Sequence, residues 1–167
     1  MTNKSPNIHT ISVLVANKPG VLVRIALVFA RRGYNIDSLV VSPTLNPKYS
    51  RMTITAKGDI ETLDQIIKNV NKLVDVIHCG EHDMSRSIDR ELALIKVKAS
   101  AAAKTAFAKH SKKYHAKIVD TQDQRLIIAQ SGTTEELNEF EDLMKKYGVV
   151  EMVRTGKVLL AQGREET

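Results

Sequence analysis

Ten consecutive residues, Val21 to Ala30, carry nine apolar side chains and a single charge, Arg24. They follow a run in which Ile11, Val13 and Val15 recur at spacing two, with Thr10 and Ser12 on intervening positions. That alternation predicts a strand with one buried face. Between the two lies Asn17-Lys18-Pro19-Gly20. Pro19 and Gly20 open a helix, where a fixed φ and a missing amide hydrogen cost little. Leu22, Ile25, Ala26 and Phe29 form an i, i+3, i+4, i+7 stripe, and Val21, Val23, Leu27, Val28 and Ala30 extend apolar surface almost all round. A helix of this kind must be covered on more than one side. One face is expected to pack on a sheet and another to meet a second subunit.

The rest of the chain falls into place around that helix. Arg31-Arg32-Gly33 ends it, with cations at its negative pole and glycine for a left-handed cap. Residues 35–41 read as a strand, and 42–47 as a loop with two prolines. From Arg51 to Ala56, Met52, Ile54 and Ala56 alternate with Arg51, Thr53 and Thr55. Gly58-Asp59 breaks that strand. Leu63, Ile66, Ile67 and Val70 make an amphipathic helix, and 75–79 close the unit as a strand. The order β-α-β-β-α-β in about 75 residues is the ferredoxin-like split unit.

Polar, turn-rich GEHDMSRSIDR then predicts a linker, and the order repeats. Residues 91–99 read as a strand and the Ala-rich 100–113 as a helix. Residues 116–120 and 125–130 form a hairpin around Gln122-Asp123. Thr133-Thr134-Glu135-Glu136 is a capping-box signature. It starts a helix with Leu137, Phe140, Met144 and Tyr147 on one face, and 149–154 form the last strand. The tail from Gly163 is expected to fray. The fold class is α+β, two ferredoxin-like βαββαβ units, with domains at 8–80 and 91–160 and a linker at 81–90.

Composition bounds the function. The 167 residues are 43% hydrophobic and 26% charged, so a core can form; with 4% aromatics and no Trp it must be aliphatic. The net charge of +6 permits a polyanionic partner without demanding one. The single cysteine, Cys79, excludes an internal disulfide and suits a reducing compartment. The polar start lacks the apolar core of a signal peptide, and no apolar run is long enough to span a bilayer. The expected location is the cytoplasm.

Signals for catalysis are thin: no phosphate-loop lysine motif, no Gly-x-Gly-x-x-Gly after a strand and no nucleophile elbow. His78 and His82 are four apart, a metal-binding spacing only on a helix, and here they fall at a strand end. No metal site and no catalytic site are expected. Seven lysines and no acid lie between Leu92 and Val119. A solvated face explains them, with a nucleic-acid surface over Lys96–Lys117 as the rival. There remains Asn-Lys-Pro-Gly-Val-Leu. A helix N-terminus presents unpaired amides to a carboxylate, and Gly20 lets a ligand approach the backbone. Asn17 is a candidate either for the helix cap or for the ligand.

That turn, together with RRGYNIDSLVVSPT from Arg31, YSRMTI from Tyr49 and KLVDVI from Lys72, resembles the small regulatory subunits of acetolactate synthase, with a weaker likeness through RELALIKV and beyond. The resemblance implies an N-terminal ACT domain, a C-terminal ferredoxin-like domain and a homodimer joined edge to edge through its ACT sheets. It implies a large catalytic partner that carries thiamine diphosphate, FAD and Mg²⁺, with no cofactor in this chain. It also implies activation of that partner and feedback inhibition by a branched-chain amino acid, valine foremost, at the ACT–ACT interface. The effector residues it implies are Asn17, Gly20, Val21, Leu22, Asn35 and Ile36. The alternatives are an ACT-type sensor for another enzyme and a nucleic-acid-binding regulator.

Overall fold

The computed structural model describes residues 8–164 and 167. The chain divides into two compact units, one reaching to Ile88 and taking back the stretch from Lys157, the other Asp89–Gly156. The first contains β1 (Ile8–Ala16), α1 (Val21–Arg31), β2 (Asn35–Pro43), β3 (Tyr49–Lys57), α2 (Ile60–Val70) and β4 (Val76–Glu81). Its antiparallel sheet runs β2-β3-β1-β4. The second contains β5 (Ser87–Lys98), α3 (Ala101–His110), β6 (Ala116–Gln122), β7 (Arg125–Gly132), α4 (Thr134–Lys145) and β8 (Val149–Arg154). Its sheet order, β6-β7-β5-β8, reproduces the first.

Each unit has an aliphatic core between one sheet face and two helices. Ile11, Val13 and Val15 of β1 and Met52, Ile54 and Ala56 of β3 meet Ile25 and Phe29 of α1 and Leu63 and Ile66 of α2. Ile95, Val97 and Ile128 meet Leu137, Phe140 and Met144 in the second. The helix α3 contributes the buried methyls of Ala103 and Ala106. On the opposite face of the first sheet Thr10, Ser12, Thr53 and Thr55 are buried as well.

The structure departs from the sequence reading in four places. The buried row of α1 is Val21, Ile25 and Phe29, whereas Leu22 is 40% exposed. On a helix apolar all round the periodicity has no contrast, and the turn preceding it sets which row faces the sheet. The segment read as a linker holds the end of β4, a 3₁₀ turn (Met84–Arg86) and the start of β5 at Ser87. The Ala-rich helix stops at His110, three residues early. An unforeseen short strand, β9 (Val158–Ala161), pairs with β5, whose first two residues belong to the first unit. There Leu159 is buried, and the Gln162 amide donates to the Arg86 carbonyl. The expected fraying of the tail falls partly outside the described residues. No helix among the described residues is long and apolar enough to cross a membrane.

Candidate functional site

The turn from β1 into α1 is tied down on both sides. The Ala16 amide donates to the Asp75 carbonyl and the Asn17 amide to the Lys48 carbonyl, each at 2.8 Å. The Asn17 side chain donates to the Pro47 carbonyl at 3.1 Å. Asn17 therefore fastens the turn to the β2–β3 loop and is not the helix cap. The N-cap is Gly20, at φ 83 and ψ −10, a left-handed conformation that glycine adopts without steric cost.

Helix α1 thus starts with no side-chain cap and no acid in its first turn. The other three α-helices are capped: Asp59 accepts from the Thr62 amide, Ser100 from the Ala103 amide, and Thr133 from the Glu136 amide within a full capping box. The first amides of α1 are left for another acceptor. The adjoining cations are drawn aside. Arg24 pairs with Asp75 at 2.5 Å, and Lys18 reaches the same carboxylate at 3.5 Å.

In front of these amides lies a depression of about 250 Å³. Asn17, Gly20, Val21 and Leu22 line it, joined by Val41, Ser50 and Met52. The last three come from β2 and β3, where Val41 pairs with Met52 and Pro43 with Ser50. Nothing in the local pattern singles them out; the register brings them there. An acid group can meet the helix amides, and a short aliphatic side chain can lie against Val41 and Met52. Besides the helix amides, the lining holds the Ser50 hydroxyl and the Lys18 ammonium, groups able to bind an acid.

Asn35 and Ile36 do not line this depression. Asn35 starts β2, pairs with Lys57 and donates to Asp37, while Ile36 packs against the core. Val41 lies six residue steps along the strand from Asn35, roughly 20 Å. Within one chain the two sets of residues stay apart.

The remaining candidates are occupied otherwise. His78 lies opposite Leu14 on β4, and His82 shares a hydrogen bond with the Ser12 hydroxyl at 2.6 Å. No three His, Cys, Asp or Glu side chains converge as metal ligands among the described residues. Burial pushes the Cys79 thiol up to about 12, which leaves it a protonated core group.

Comparison with known proteins bears on both units. Residues 11–78 match the family model described as the AHAS small subunit-like ACT domain, and residues 90–163 the model for the small subunit of acetolactate synthase. The probable acetolactate synthase small subunit of Archaeoglobus fulgidus is 43% identical over 158 residues, covering 95% of this chain and 99% of that protein. The acetolactate synthase small subunit of Mycolicibacterium smegmatis is 41% identical over 163 residues, 98% of this chain and 95% of that protein. Among solved structures, the acetolactate synthase small subunit from Thermotoga maritima superposes with a TM-score of 0.85 at 35% identity, over 95% of this chain and 99% of that one.

Proposed function

The chain belongs to the acetolactate synthase small-subunit family, and we propose that it is the regulatory subunit of such an enzyme, activating a large catalytic subunit and subjecting it to feedback inhibition by valine. The observation that carries the reading is the match of both units, one after the other, to that family. The cofactors for joining two 2-oxo acids (thiamine diphosphate, FAD and Mg²⁺) belong to the partner.

The uncapped start of α1 supports an effector site at Asn17–Leu22. The valine carboxylate takes the amides after Gly20, and its isopropyl group lies on Val41 and Met52. Its ammonium needs acceptors, which Asn and strand carbonyls of a second copy supply. In that arrangement Asn35 and Ile36 reach the effector from the neighbouring chain, which reconciles their distance from the depression within one chain. Homodimerisation is supported by the outer row of α1, where Val23 is 61% and Leu27 47% exposed, and by β2, an edge strand among the described residues. Large apolar side chains clustered in this way mark an interface.

Linkage supplies the mechanism. Valine inhibits by binding the low-activity arrangement of two chains better than the active one. A tenfold bias needs about 1.4 kcal/mol, within reach of one or two hydrogen bonds across an interface. The test is to reconstitute the chain with its large subunit and assay acetolactate formation with and without valine. Activation on mixing, reversed by millimolar valine, is the expected result. A large subunit equally active with and without this chain would refute the role.

A further inference from the structure

Of the seven lysines between Leu92 and Val119, two pair with carboxylates and the other five, Lys98, Lys104, Lys109, Lys112 and Lys117, do not among the described residues. Lys96 pairs with Glu151 of β8 at 2.6 Å, and Lys113 with Glu139 of α4 at 3.3 Å. Lys113 also donates to the Tyr114 hydroxyl and lies over its ring. These two are neutralised within the unit. Lys112 and Lys117 have no carboxylate within ion-pair distance among the described residues, and neither has His115. All three line one hollow of about 530 Å³, with Ser111, Ala116 and Ser131 completing it.

The hollow is held rigidly from behind. Tyr114 and Ala116, on either side of His115, are both buried, and the Tyr114 ring lies 5.4 Å from that of Phe140. The Ala116 amide donates to the Ser111 carbonyl at 2.9 Å and closes the turn. His115 itself takes a left-handed backbone, φ 50, a conformation uncommon outside glycine but one in which His, Asn and Asp are enriched. Helix-end compensation does not account for the cluster. Lys109 and His110 already occupy the last turn of α3, and the dipole fades beyond it.

We propose that this hollow binds a phosphoryl group carried by a small metabolite. Two ammonium groups, an imidazole and two hydroxyls suit an anion of nearly two charges with three acceptor oxygens, the description of a phosphate ester at neutral pH. A monocarboxylate offers half that charge. A nucleic-acid track would need stacking platforms, and the nearby aromatics, Tyr114 and Phe107, are committed to the core. The site lies wholly in the second unit and does not depend on the valine reading of the first.

Inorganic pyrophosphate is the probe, titrated into the full chain at fixed ionic strength and followed by amide NMR and calorimetry. Saturable binding below millimolar is expected, with shifts confined to 111–117 and 131. The double variant K112Q/K117Q should bind at least tenfold more weakly at an unchanged melting temperature, and K112R/K117R should retain binding. K112Q alone, expected to weaken binding severalfold, serves if the double variant fails to fold. Shifts that never saturate, or that K112Q leaves untouched, would overturn the proposal. So would tight binding of a single-stranded oligonucleotide that pyrophosphate cannot displace.

Discussion

Replacing Gly20 by Asp and, separately, by Asn isolates charge from backbone at the proposed effector turn. Chain neighbours aside, nothing among the described residues lies within 4 Å of a Cβ built at Gly20, so both side chains fit. Both carry the left-handed backbone cost, about 1–2 kcal/mol at most, and these are the residue types that bear it best. They differ in charge alone. A carboxylate at position 20 stands roughly 5 Å from where the effector's carboxylate would lie. At an effective dielectric of about 20 that repulsion is about 3 kcal/mol. The depression is open to solvent, and screening brings it to about 1.5–3 kcal/mol. Valine affinity should therefore be roughly ten- to a hundredfold lower in G20D than in G20N. Without valine the order reverses. Asp gains about 0.3–1 kcal/mol from the helix pole, so apo G20D should melt no lower than apo G20N. Calorimetric titration of valine into each variant reads the first effect, and thermal melts read the second. Equal valine affinity in the two variants would remove the carboxylate from the start of α1.

Three other perturbations test separate parts of the structure. Val23→Lys with Leu27→Lys should dissociate the proposed homodimer in sedimentation velocity, at a cost to the fold within about 1 kcal/mol, because both side chains face outward; a variant that sediments with the wild type would refute an interface on this row. Arg154→Ala should destabilise the second unit by about 3–5 kcal/mol in urea, since it strips the partner from Glu91, which is 6% exposed, and E91Q/R154M should recover most of the loss. Burial raises the Cys79 thiol to about 12, against about 8.5 unfolded. Its contribution to stability is whole below about pH 8.5 and is lost as pH rises from there toward 12. Melting temperature should then fall more steeply above pH 9 in the wild type than in Cys79→Ala, and a thiol reagent at pH 8 should label only the denatured chain.

Local chemistry was legible wherever a motif had contrast. Thr133 with Glu136 announces a capping box, and the box is present with both hydrogen bonds. The α2 stripe of Leu63, Ile66, Ile67 and Val70 stands out against a polar back; Leu63, Ile66 and Val70 are buried and Ile67 packs partly buried against the same core. The anticipated hairpin is present, with its tight turn at Asp123 and Gln124, both at positive φ, one residue beyond the Gln122-Asp123 pair expected. Helix α1 offers no such contrast, so Leu22 was read into the buried row in place of Val21, while Ile25 and Phe29 are buried as read. The strand β9 is four residues long, too short for a pattern, and Leu159 is buried only because distant chain lies beside it. Asn17 and Gly20 belong to a recognisable turn and sit at the rim of the depression. Val41, Ser50 and Met52 do not advertise themselves, because strand register assembles them and register is a property of the folded sheet.

The return of β9 to the first unit has a consequence for biosynthesis. A nascent chain released from the ribosome as far as Ile88 lacks the strand that carries Leu159, and 73 further residues must emerge before Ala161 arrives. At about 5–20 residues per second that delay is roughly 4–15 s. Throughout it the N-terminal half waits unfinished, and the whole second unit has time to condense first. Loss of the stretch from Lys157 onward would thus injure the unit that was translated earliest.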